Sequence, residues 1–192
     1  MKGEPHTPRS VLVTGGAGFI GANFVEYLLQ SDSSVRVTTL DSLTYAGSLD
    51  NLAAVIGDAR HDFVRGDITD GPLVTSLLND RSIDTIVHFA AESHVDRSIT
   101  GPAAFITTNV VGTFTLLEAA RAVWLGSRKR SDVRFHHVST DEVFGDLPTG
   151  KVFAVTGAPG TPGGDARLGR PAPRRRFLRS TNTRRSSTCC SR

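Results

Sequence analysis

The sequence predicts an α/β protein built on a parallel β-sheet. Across residues 10–139, short runs rich in Val and Ile alternate with helix-like segments, which is the order typical of a parallel sheet covered by helices. Several of the runs are continuously apolar, as strands buried on both faces are. The length of 192 residues allows one domain with an appendage, because a domain averages roughly 150 residues.

Five of the apolar runs are predicted to be strands, and helices are expected between them. The predicted strands span residues 11–14, 35–40, 63–65, 85–89 and 134–139. The predicted helices span residues 20–30, 72–79 and 102–123, with a shorter one at 49–56. In the longest helix Pro102 suits the first turn, and apolar residues recur at helical steps to form a stripe of Phe105, Val110, Phe114, Leu117 and Ala120.

The first predicted strand runs into a glycine-rich turn, Thr14-Gly15-Gly16-Ala17-Gly18-Phe19-Ile20-Gly21. In a strand–turn–helix setting, Gly15 permits the tight turn, Gly18 lets a pyrophosphate approach the backbone, and Gly21 lets the helix pack on the strand. The N–H groups at the start of the helix attract anions. A glycine-rich turn without a ligand is the alternative interpretation.

An acidic residue strengthens the ligand-binding interpretation. Asp41 closes the second predicted strand 20 residues after Gly21, where a carboxylate accepts hydrogen bonds from the ribose hydroxyls of adenosine. That carboxylate would repel a 2′-phosphate, and no arginine follows it immediately. The turn, the helix and Asp41 together predict a Rossmann-like, doubly wound sheet that binds NAD in preference to NADP.

Four segments carry a resemblance to a known family. They are the glycine turn with its three-residue spacing, residues 40–47, residues 88–98 and residues 139–145. Together they resemble the nucleotide-sugar 4,6-dehydratases of the extended short-chain dehydrogenase/reductase family, with the closest match to those that act on dTDP-glucose. The resemblance covers about residues 10–150, and the Thr140-Asp141-Glu142 run separates dehydratases from the related epimerases and decarboxylases.

The resemblance implies a reaction and a set of site residues. NAD would oxidise the sugar at C4, water would be lost across C5 and C6, and re-reduction would give a 4-keto-6-deoxy sugar nucleotide. Asp141 is implied as the acid, Glu142 as the base, and Thr140 as a hydrogen-bonding partner of the sugar, which His94 would also face. No metal is implied. The residues expected to line NAD are Gly15, Gly18, Phe19, Ile20, Gly21, Asp41, Ser42, Leu43, Thr44, Asp67, Ile68, Ala90, Ala91, Ser93 and Thr108.

Some of these positions have plainer interpretations. Asp67 also suits a helix cap, and Ala90 and Ala91 suit tight packing. Asn109, on the long helix, is expected to bend that helix or to organise water, because a buried polar residue needs hydrogen-bonding partners.

One expected motif does not occur in the sequence. The superfamily uses a tyrosine followed four residues later by a lysine to deprotonate the C4 hydroxyl, but the two tyrosines are Tyr27 and Tyr45, and neither is followed by lysine at that spacing. We therefore expect catalysis by this chain to be severely impaired. The homodimer typical of the family is also doubtful for this chain, because the helix that carries the motif contributes to the dimer interface.

A change in composition near residue 150 predicts a boundary. Residues 151–192 contain Lys151 and nine arginines against Asp165, a net charge of +9, and since the whole chain carries +3, the first 150 residues carry −6. We expect residues 1–150 to form the NAD-binding domain and residues 151–192 to be a disordered Arg/Pro/Gly-rich tail. We hypothesise that the chain is a frameshifted or truncated product.

Three other interpretations stay open. The basic tail could bind nucleic acid or an acidic partner, and the folded part could be an NAD-binding pseudoenzyme or a nucleotide-sugar epimerase or decarboxylase. The polar residues 1–10 do not resemble a signal peptide, and no apolar run approaches the ~20 residues of a membrane span. We therefore expect a cytoplasmic protein without membrane contact.

Overall fold

The protein folds around a five-stranded, all-parallel β-sheet. A computed structural model describes residues 6–127 and 130–140. The strand order is β3-β2-β1-β4-β5, which confirms the predicted Rossmann-like, doubly wound class. The strands are β1 Ser10–Thr14, β2 Arg36–Asp41, β3 His61–Arg65, β4 Thr85–His88 and β5 Arg134–His137.

Strand β1 lies at the centre of the sheet, between β2 and β4. Val13 of β1 pairs in register with Thr39 of β2 and with Val87 of β4. The chain winds from β1 through β2 to β3 in one direction and then returns to place β4 on the other side of β1. The direction of winding therefore reverses at the carboxyl end of β1, which is where open α/β sheets bind their ligands.

Helices cover both faces of the sheet. They are α1 Phe19–Ser31, α2 Gly71–Asp80, α3 Val95–Thr100 and α4 Pro102–Ser127, with a short 3-10 helix at Leu49–Leu52. Because successive side chains of a strand point to opposite faces, Val11 and Val13 pack with helix α1, whereas Leu12 packs with α2 and α4. Burial on both faces explains why the central strands are continuously apolar.

One predicted helix is shorter than expected, and one observed helix was not predicted. The helix expected at 49–56 is only the 3-10 helix Leu49–Leu52, which begins after Ser48; the Ser48 hydroxyl accepts a hydrogen bond from the Asp50 N–H. Helix α3, Val95–Thr100, was not predicted. It has six residues, too few to show an apolar period in the sequence.

The long helix α4 presents a different face to the core from the one its predicted stripe marks. Its buried residues are Gly112, Leu116, Ala119, Ala120, Val123 and Trp124. Of the predicted stripe only Ala120 is buried, while Val110, Phe114 and Leu117 are exposed. Apolar residues occur on both sides of this helix, so periodicity alone does not select the face that packs on the sheet.

Helix α4 also meets the length and composition of a membrane span. Its mean hydropathy reaches 1.3 over an 18-residue window, 22% of which is buried. A helix from the core of a soluble protein meets the same criteria, and the inner face of α4 does pack on the sheet and on α2. The expectation that the protein has no membrane contact stays a prediction.

Trp124 joins the inner face of α4 to Ile83, in the segment before β4. The loss of this side chain should destabilise the fold. Its Nε1–H donates to the Ile83 carbonyl oxygen at 2.9 Å, and the side chain is buried. Trp124→Phe removes the donor and leaves a buried carbonyl without its partner, so we expect the free energy of unfolding to fall by about 1–3 kcal/mol. Urea denaturation followed by far-UV circular dichroism measures this.

Leu125→Ala is the matched control, because the Leu125 side chain is exposed on the same helix. It should change the free energy of unfolding by no more than about 0.5 kcal/mol. An equal effect of the two substitutions would contradict the role of the Trp124 hydrogen bond.

Candidate functional site

The glycine-rich turn after β1 has the geometry that its glycines predict. Gly15 has a φ of +69°, a conformation that side chains with a Cβ rarely adopt. A Cβ on Gly15 would lie 2.6 Å from the Ala90 nitrogen, and a Cβ on Gly21 would collide with the Gly15 carbonyl oxygen. The turn, the end of β4 and the start of α1 therefore approach one another more closely than side chains would allow.

The start of helix α1 offers free backbone donors. The first bond of the helix runs from the Ala22 N–H to the Gly18 carbonyl oxygen, at 2.9 Å, so the N–H groups of Phe19 and Ile20 have no partner within the helix. The N-cap residue, Gly18, supplies no side-chain acceptor, and the first turn contains no acidic residue. This positive, uncapped end of a helix suits an anion.

Asp41, the last residue of β2, ties that strand to the turn. Its Oδ2 accepts a hydrogen bond from the Ala17 N–H at 2.9 Å, and its Oδ1 accepts one from the Leu43 N–H at 2.8 Å. The second bond holds Leu43 at a φ of 54°, an uncommon conformation for a residue with a side chain. Each carboxylate oxygen keeps a further lone pair, so ribose binding by Asp41 stays possible beside this structural role.

The loop after β3 lies next to Asp41. The Gly66 N–H donates to the Asp41 carbonyl oxygen at 3.0 Å. The following residue, Asp67, is exposed and accepts hydrogen bonds from the N–H and the hydroxyl of Thr69, both at 2.8 Å. Asp67 therefore forms a local turn and is not a helix cap, since the cap of α2 is Asp70, which accepts from the Leu73 N–H.

Ile68 lies in the core, which limits the part it can play in a binding site. Its side chain is buried in the cluster that joins the sheet to α2 and α4, and it fills the space beside Gly112, where a Cβ would collide with it. The Ile68 side chain is therefore occupied by packing within the core.

The loop after β4 is held from the other side by helix α4. Asn109 accepts a hydrogen bond from the Glu92 N–H at 2.8 Å and donates one to the Glu92 carbonyl oxygen at 2.9 Å. Its amide thus fixes a loop. Asn109 lies within the π-helical segment Ile106–Gly112 of α4, and the expectation that it bends the helix or organises water stays a prediction. Ala91, Ser93 and His94 in this loop are exposed, and Thr108 is half-buried beside Asn109.

A buried histidine links β4 to β1 and to α4. The Nδ1 of His88 lies 2.7 Å from the Thr14 hydroxyl, and its Nε2 lies 3.0 Å from the Thr113 hydroxyl. Because the Thr113 hydroxyl donates to the Asn109 carbonyl oxygen, it accepts from an Nε2–H, and Nδ1 accepts from Thr14. Burial, and then the neighbouring His137, lower the pKa of His88 to about 4, so the ring is neutral at pH 7.

A further cluster joins the loop after β2 to the segment after β4. The Tyr45 hydroxyl donates to the Glu92 carboxylate at 3.2 Å, and the Arg97 guanidinium carbon lies 3.9 Å from the centre of the Tyr45 ring. The His94 ring meets the same tyrosine edge-on, with 6.5 Å between ring centres. Burial, and then the Glu92 carboxylate, raise the pKa of the Tyr45 phenol, which therefore stays protonated and donates.

Of the three residues expected to act on the sugar, Thr140, Asp141 and Glu142, the structure places only the one expected to hydrogen-bond it. Thr140 follows β5 and is exposed, and the Val138 N–H donates to the His88 carbonyl oxygen at 3.1 Å, which continues the pairing of β5 with β4. Asp141 and Glu142 lie outside the described residues, so their roles stay predictions, as does the domain boundary at residue 150.

The structure brings the predicted cofactor residues to one edge of the sheet. The turn at Gly15–Gly21, the segment at Asp41–Thr44, Asp67, and Ala90–Ala91 all follow the carboxyl ends of neighbouring strands. Sequence reasoning assigned no role to Tyr45, Glu92, Arg97 or His88. All four residues lie in segments that carry the family resemblance, Tyr45 in residues 40–47 and the other three in residues 88–98. The contacts between these two segments could not be predicted, because they depend on the strand order.

The chain is similar to known dehydratases over most of its length. The family model described as GDP-mannose 4,6 dehydratase matches residues 12–157. The dTDP-glucose 4,6-dehydratase of Xanthomonas campestris pv. campestris is 58% identical over 155 residues, which are 79% of this chain and 44% of the relative. The dTDP-glucose 4,6-dehydratase 1 of Escherichia coli is 53% identical over 140 residues, which are 72% of this chain and 38% of the relative.

Solved structures show the same similarity. The dTDP-glucose 4,6-dehydratase DesIV from Streptomyces venezuelae, crystallised with NAD and TYD bound, superimposes with a TM-score of 0.66 and 52% identity, covering 74% of this chain and 43% of that one. The chain therefore spans less than half the length of the curated relatives it matches.

His88 should make the stability of the fold depend on pH. Its pKa is about 4 in the folded chain and 6.5 ordinarily, so between these values the unfolded chain takes up a proton that the folded chain does not. The free energy of unfolding should fall by about 3 kcal/mol as the pH drops from 6.5 to 4, and this contribution should level off below pH 4. Urea denaturation between pH 4 and 7 measures the slope.

His88→Gln should remove this part of the slope, whatever it costs in stability at pH 7. Burial also lowers the pKa of His61, so the contribution of His61 to the slope remains in the variant. His136→Gln, at an exposed position of β5, is the control and should leave the slope unchanged. An unaltered slope in His88→Gln would show that the imidazole is not buried neutral.

Proposed function

The chain belongs to the GDP-mannose 4,6-dehydratase family, and we propose that it forms the NAD-binding half of a nucleotide-sugar 4,6-dehydratase that acts on dTDP-glucose. The relatives named above are dTDP-glucose 4,6-dehydratases, and one of them is solved with NAD bound. Because this chain spans less than half the length of each relative, similarity to them does not establish the activity of the whole enzyme for this chain, and that activity is a proposal.

The observation that carries the proposal is the hydrogen bond between Asp41 and the Ala17 N–H, 2.9 Å long. It fixes a carboxylate, only 9% exposed, at the end of β2 beside an uncapped helix start. An acceptor for ribose hydroxyls and donors for a pyrophosphate are the two features that an adenine dinucleotide requires. A glycine-rich turn without a ligand would need only the positive φ of Gly15.

The residues present fit NAD along the carboxyl edge of the sheet. The N–H groups of Phe19 and Ile20 would donate to the pyrophosphate, and the free lone pairs of Asp41 would accept from the adenosine ribose. We call the space above the end of β1, between the segments that follow β2 and β4, the cleft. Ala91 and Ser93 are exposed on its β4 side. When bound, NAD supplies the hydride acceptor and donor that the dehydratase reaction requires.

Asp141 and Glu142 are proposed to perform the elimination of water from the sugar. Glu142 would remove the proton from C5 as a general base, and Asp141 would protonate the hydroxyl that leaves C6, so that one water molecule departs and a C5–C6 double bond forms. Adjacent carboxyl groups in different protonation states suit such a reaction. Thr140, exposed after β5, would hydrogen-bond the sugar, and His94 would face it.

The proposal does not extend to the homodimer of the family, which stays doubtful for this chain. Helix α4 does expose an apolar face that includes Val110, Phe114 and Leu117. The cytoplasm is also proposed as the location of this chain. No role is proposed for the basic tail, which lies outside the described residues.

Asp41 should decide between NAD and NADP. Its carboxylate would repel a 2′-phosphate, so we expect NAD to bind at least about 10-fold more tightly than NADP, a difference of about 1.4 kcal/mol. In Asp41→Asn the ratio of the two dissociation constants should fall towards one. Isothermal titration calorimetry of the 192-residue chain with each nucleotide measures the ratio.

The ratio is informative because any structural damage caused by Asp41→Asn would weaken the binding of both nucleotides and so cancel in the ratio. Asp50→Asn, which removes an exposed carboxylate from the 3-10 helix, should leave it unchanged. Equal affinities of the unaltered chain for NAD and NADP would contradict the role of Asp41, and binding of neither would contradict the proposed function.

The chain should bind NAD but turn over dTDP-glucose slowly. Its tyrosines are Tyr27 and Tyr45, and neither has a lysine four residues later, so no phenol of that kind can deprotonate the sugar hydroxyl. Loss of one general base typically lowers a rate by about 100- to 10,000-fold. Formation of the 4-keto sugar, with the Escherichia coli relative as the positive control, measures the rate. Turnover equal to that of the relative would contradict this expectation.

A further inference from the structure

Two segments on opposite sides of β1 touch each other through side chains. Tyr45 lies in the loop after β2, whereas Glu92 and Arg97 follow β4. The Tyr45 hydroxyl donates to the Glu92 carboxylate at 3.2 Å, and the Arg97 guanidinium carbon lies 3.9 Å from the centre of the Tyr45 ring. The tyrosine is thus bound at its hydroxyl by an anion and on its face by a cation.

This contact crosses the cleft at the end of β1. Strands β2 and β4 flank β1, so they are two strand spacings, or about 10 Å, apart. The loop that carries Tyr45 also lies against the glycine-rich turn. The Ser48 N–H donates to the Ala17 carbonyl oxygen at 3.1 Å, and the Ala46 carbonyl oxygen lies 3.9 Å from the position that a Cβ on Gly18 would take. A dinucleotide placed along this turn would have to pass the contact.

The backbone on both sides of the contact is held in place. Asn109 binds the N–H and the carbonyl oxygen of Glu92 at 2.8 and 2.9 Å, and Asp41 binds the Leu43 N–H at 2.8 Å. The bridging side chains are freer, because Tyr45 is 51% exposed and Arg97 is exposed. The contact can therefore open by side-chain rotation while the walls of the cleft keep their shape.

We propose that Tyr45, Glu92 and Arg97 form a side-chain latch across the cleft, and that the latch limits how fast an adenine dinucleotide enters and leaves. The proposal rests on the proposed function, which supplies the dinucleotide. A reaction that returns its cofactor unchanged at the end of each cycle has no need to exchange it, so a latch that slows exchange costs such an enzyme nothing. The three residues are positioning residues and take no part in the chemistry.

The latch should have a modest strength, because it is exposed. One exposed hydrogen bond and one exposed cation–π contact together lower exchange rates by about 5- to 50-fold. A barrier of this kind affects entry and exit alike. Its removal should therefore raise the association and dissociation rate constants by similar factors and change the dissociation constant by less than about 3-fold, since a pure barrier cancels in the ratio of the two rates.

Stopped-flow fluorescence of the full 192-residue chain tests the latch, with NADH as the probe. Association is followed as NADH fluorescence changes on binding, and dissociation as preloaded NADH is displaced by excess NAD. Tyr45→Ala should raise both rate constants by about 5- to 50-fold. Tyr45→Phe, which keeps the ring and removes the hydroxyl, should have an intermediate effect. Tyr27→Ala is the matched control, because Tyr27 is the other tyrosine and is exposed on α1.

The outcomes separate this proposal from the proposed function. NADH binding with exchange rates that Tyr45→Ala leaves unchanged would overturn the latch alone. A rise in the dissociation rate without a rise in the association rate would overturn it too, because it would show that Tyr45 contacts the bound nucleotide directly. Failure of the unaltered chain to bind NADH would overturn both proposals.

A second measurement tests the contact without any ligand. The Tyr45 ring should shift the Nε–H resonance of Arg97 upfield in the NMR spectrum of the free chain, because the guanidinium lies over the ring face. Tyr45→Leu should abolish that shift, and far-UV circular dichroism checks that the variant is folded. An Arg97 resonance unaffected by Tyr45→Leu would overturn the latch.

Discussion

The hydrogen bonds that backbone amides donate to Asp41 are the constraint on which the candidate site depends. They join the end of β2 to the glycine-rich turn after β1 and set the conformation of the loop that follows. On the other side of the turn, the absence of a Cβ at Gly15 lets the backbone of Ala90 approach closely. The ends of three neighbouring strands are thereby held at fixed separations, and the open helix start at Phe19 and Ile20 faces the space between them.

A buried network behind the cleft supports the same arrangement from β4. His88 connects the Thr14 hydroxyl of β1 with the Thr113 hydroxyl of α4, and Thr113 in turn donates to the Asn109 carbonyl oxygen. The Asn109 side chain then fixes the backbone of Glu92. Each ring nitrogen of a neutral imidazole has one partner here, so the network is satisfied only when the histidine is uncharged. The loop that follows β4 therefore takes its position from the core.

The features of the fold and site that could be predicted from the sequence are those set by residues close together in the chain. Strands β1 and β4 were predictable because burial on both faces leaves a run of Val, Leu and Ile. The turn was predictable because Gly15 and Gly21 occupy positions where a Cβ would collide. The buried face of α4 was not predictable, since apolar residues lie on both sides of that helix and the choice is made by the groove between the sheet and α2. The contacts of Tyr45 and His88 were hidden for the same reason, because their partners are 47 and 25 or more residues away.

The most direct test of NAD binding at the carboxyl edge of the sheet is an NMR titration of the 192-residue chain with NAD, in which the amide resonances that move report where the nucleotide lies. We expect the largest changes on the residues around Gly15, Phe19, Asp41 and Ala90, at that edge. Changes confined to the opposite edge, near Arg36 and Arg81, or spread without pattern over the chain, would contradict it.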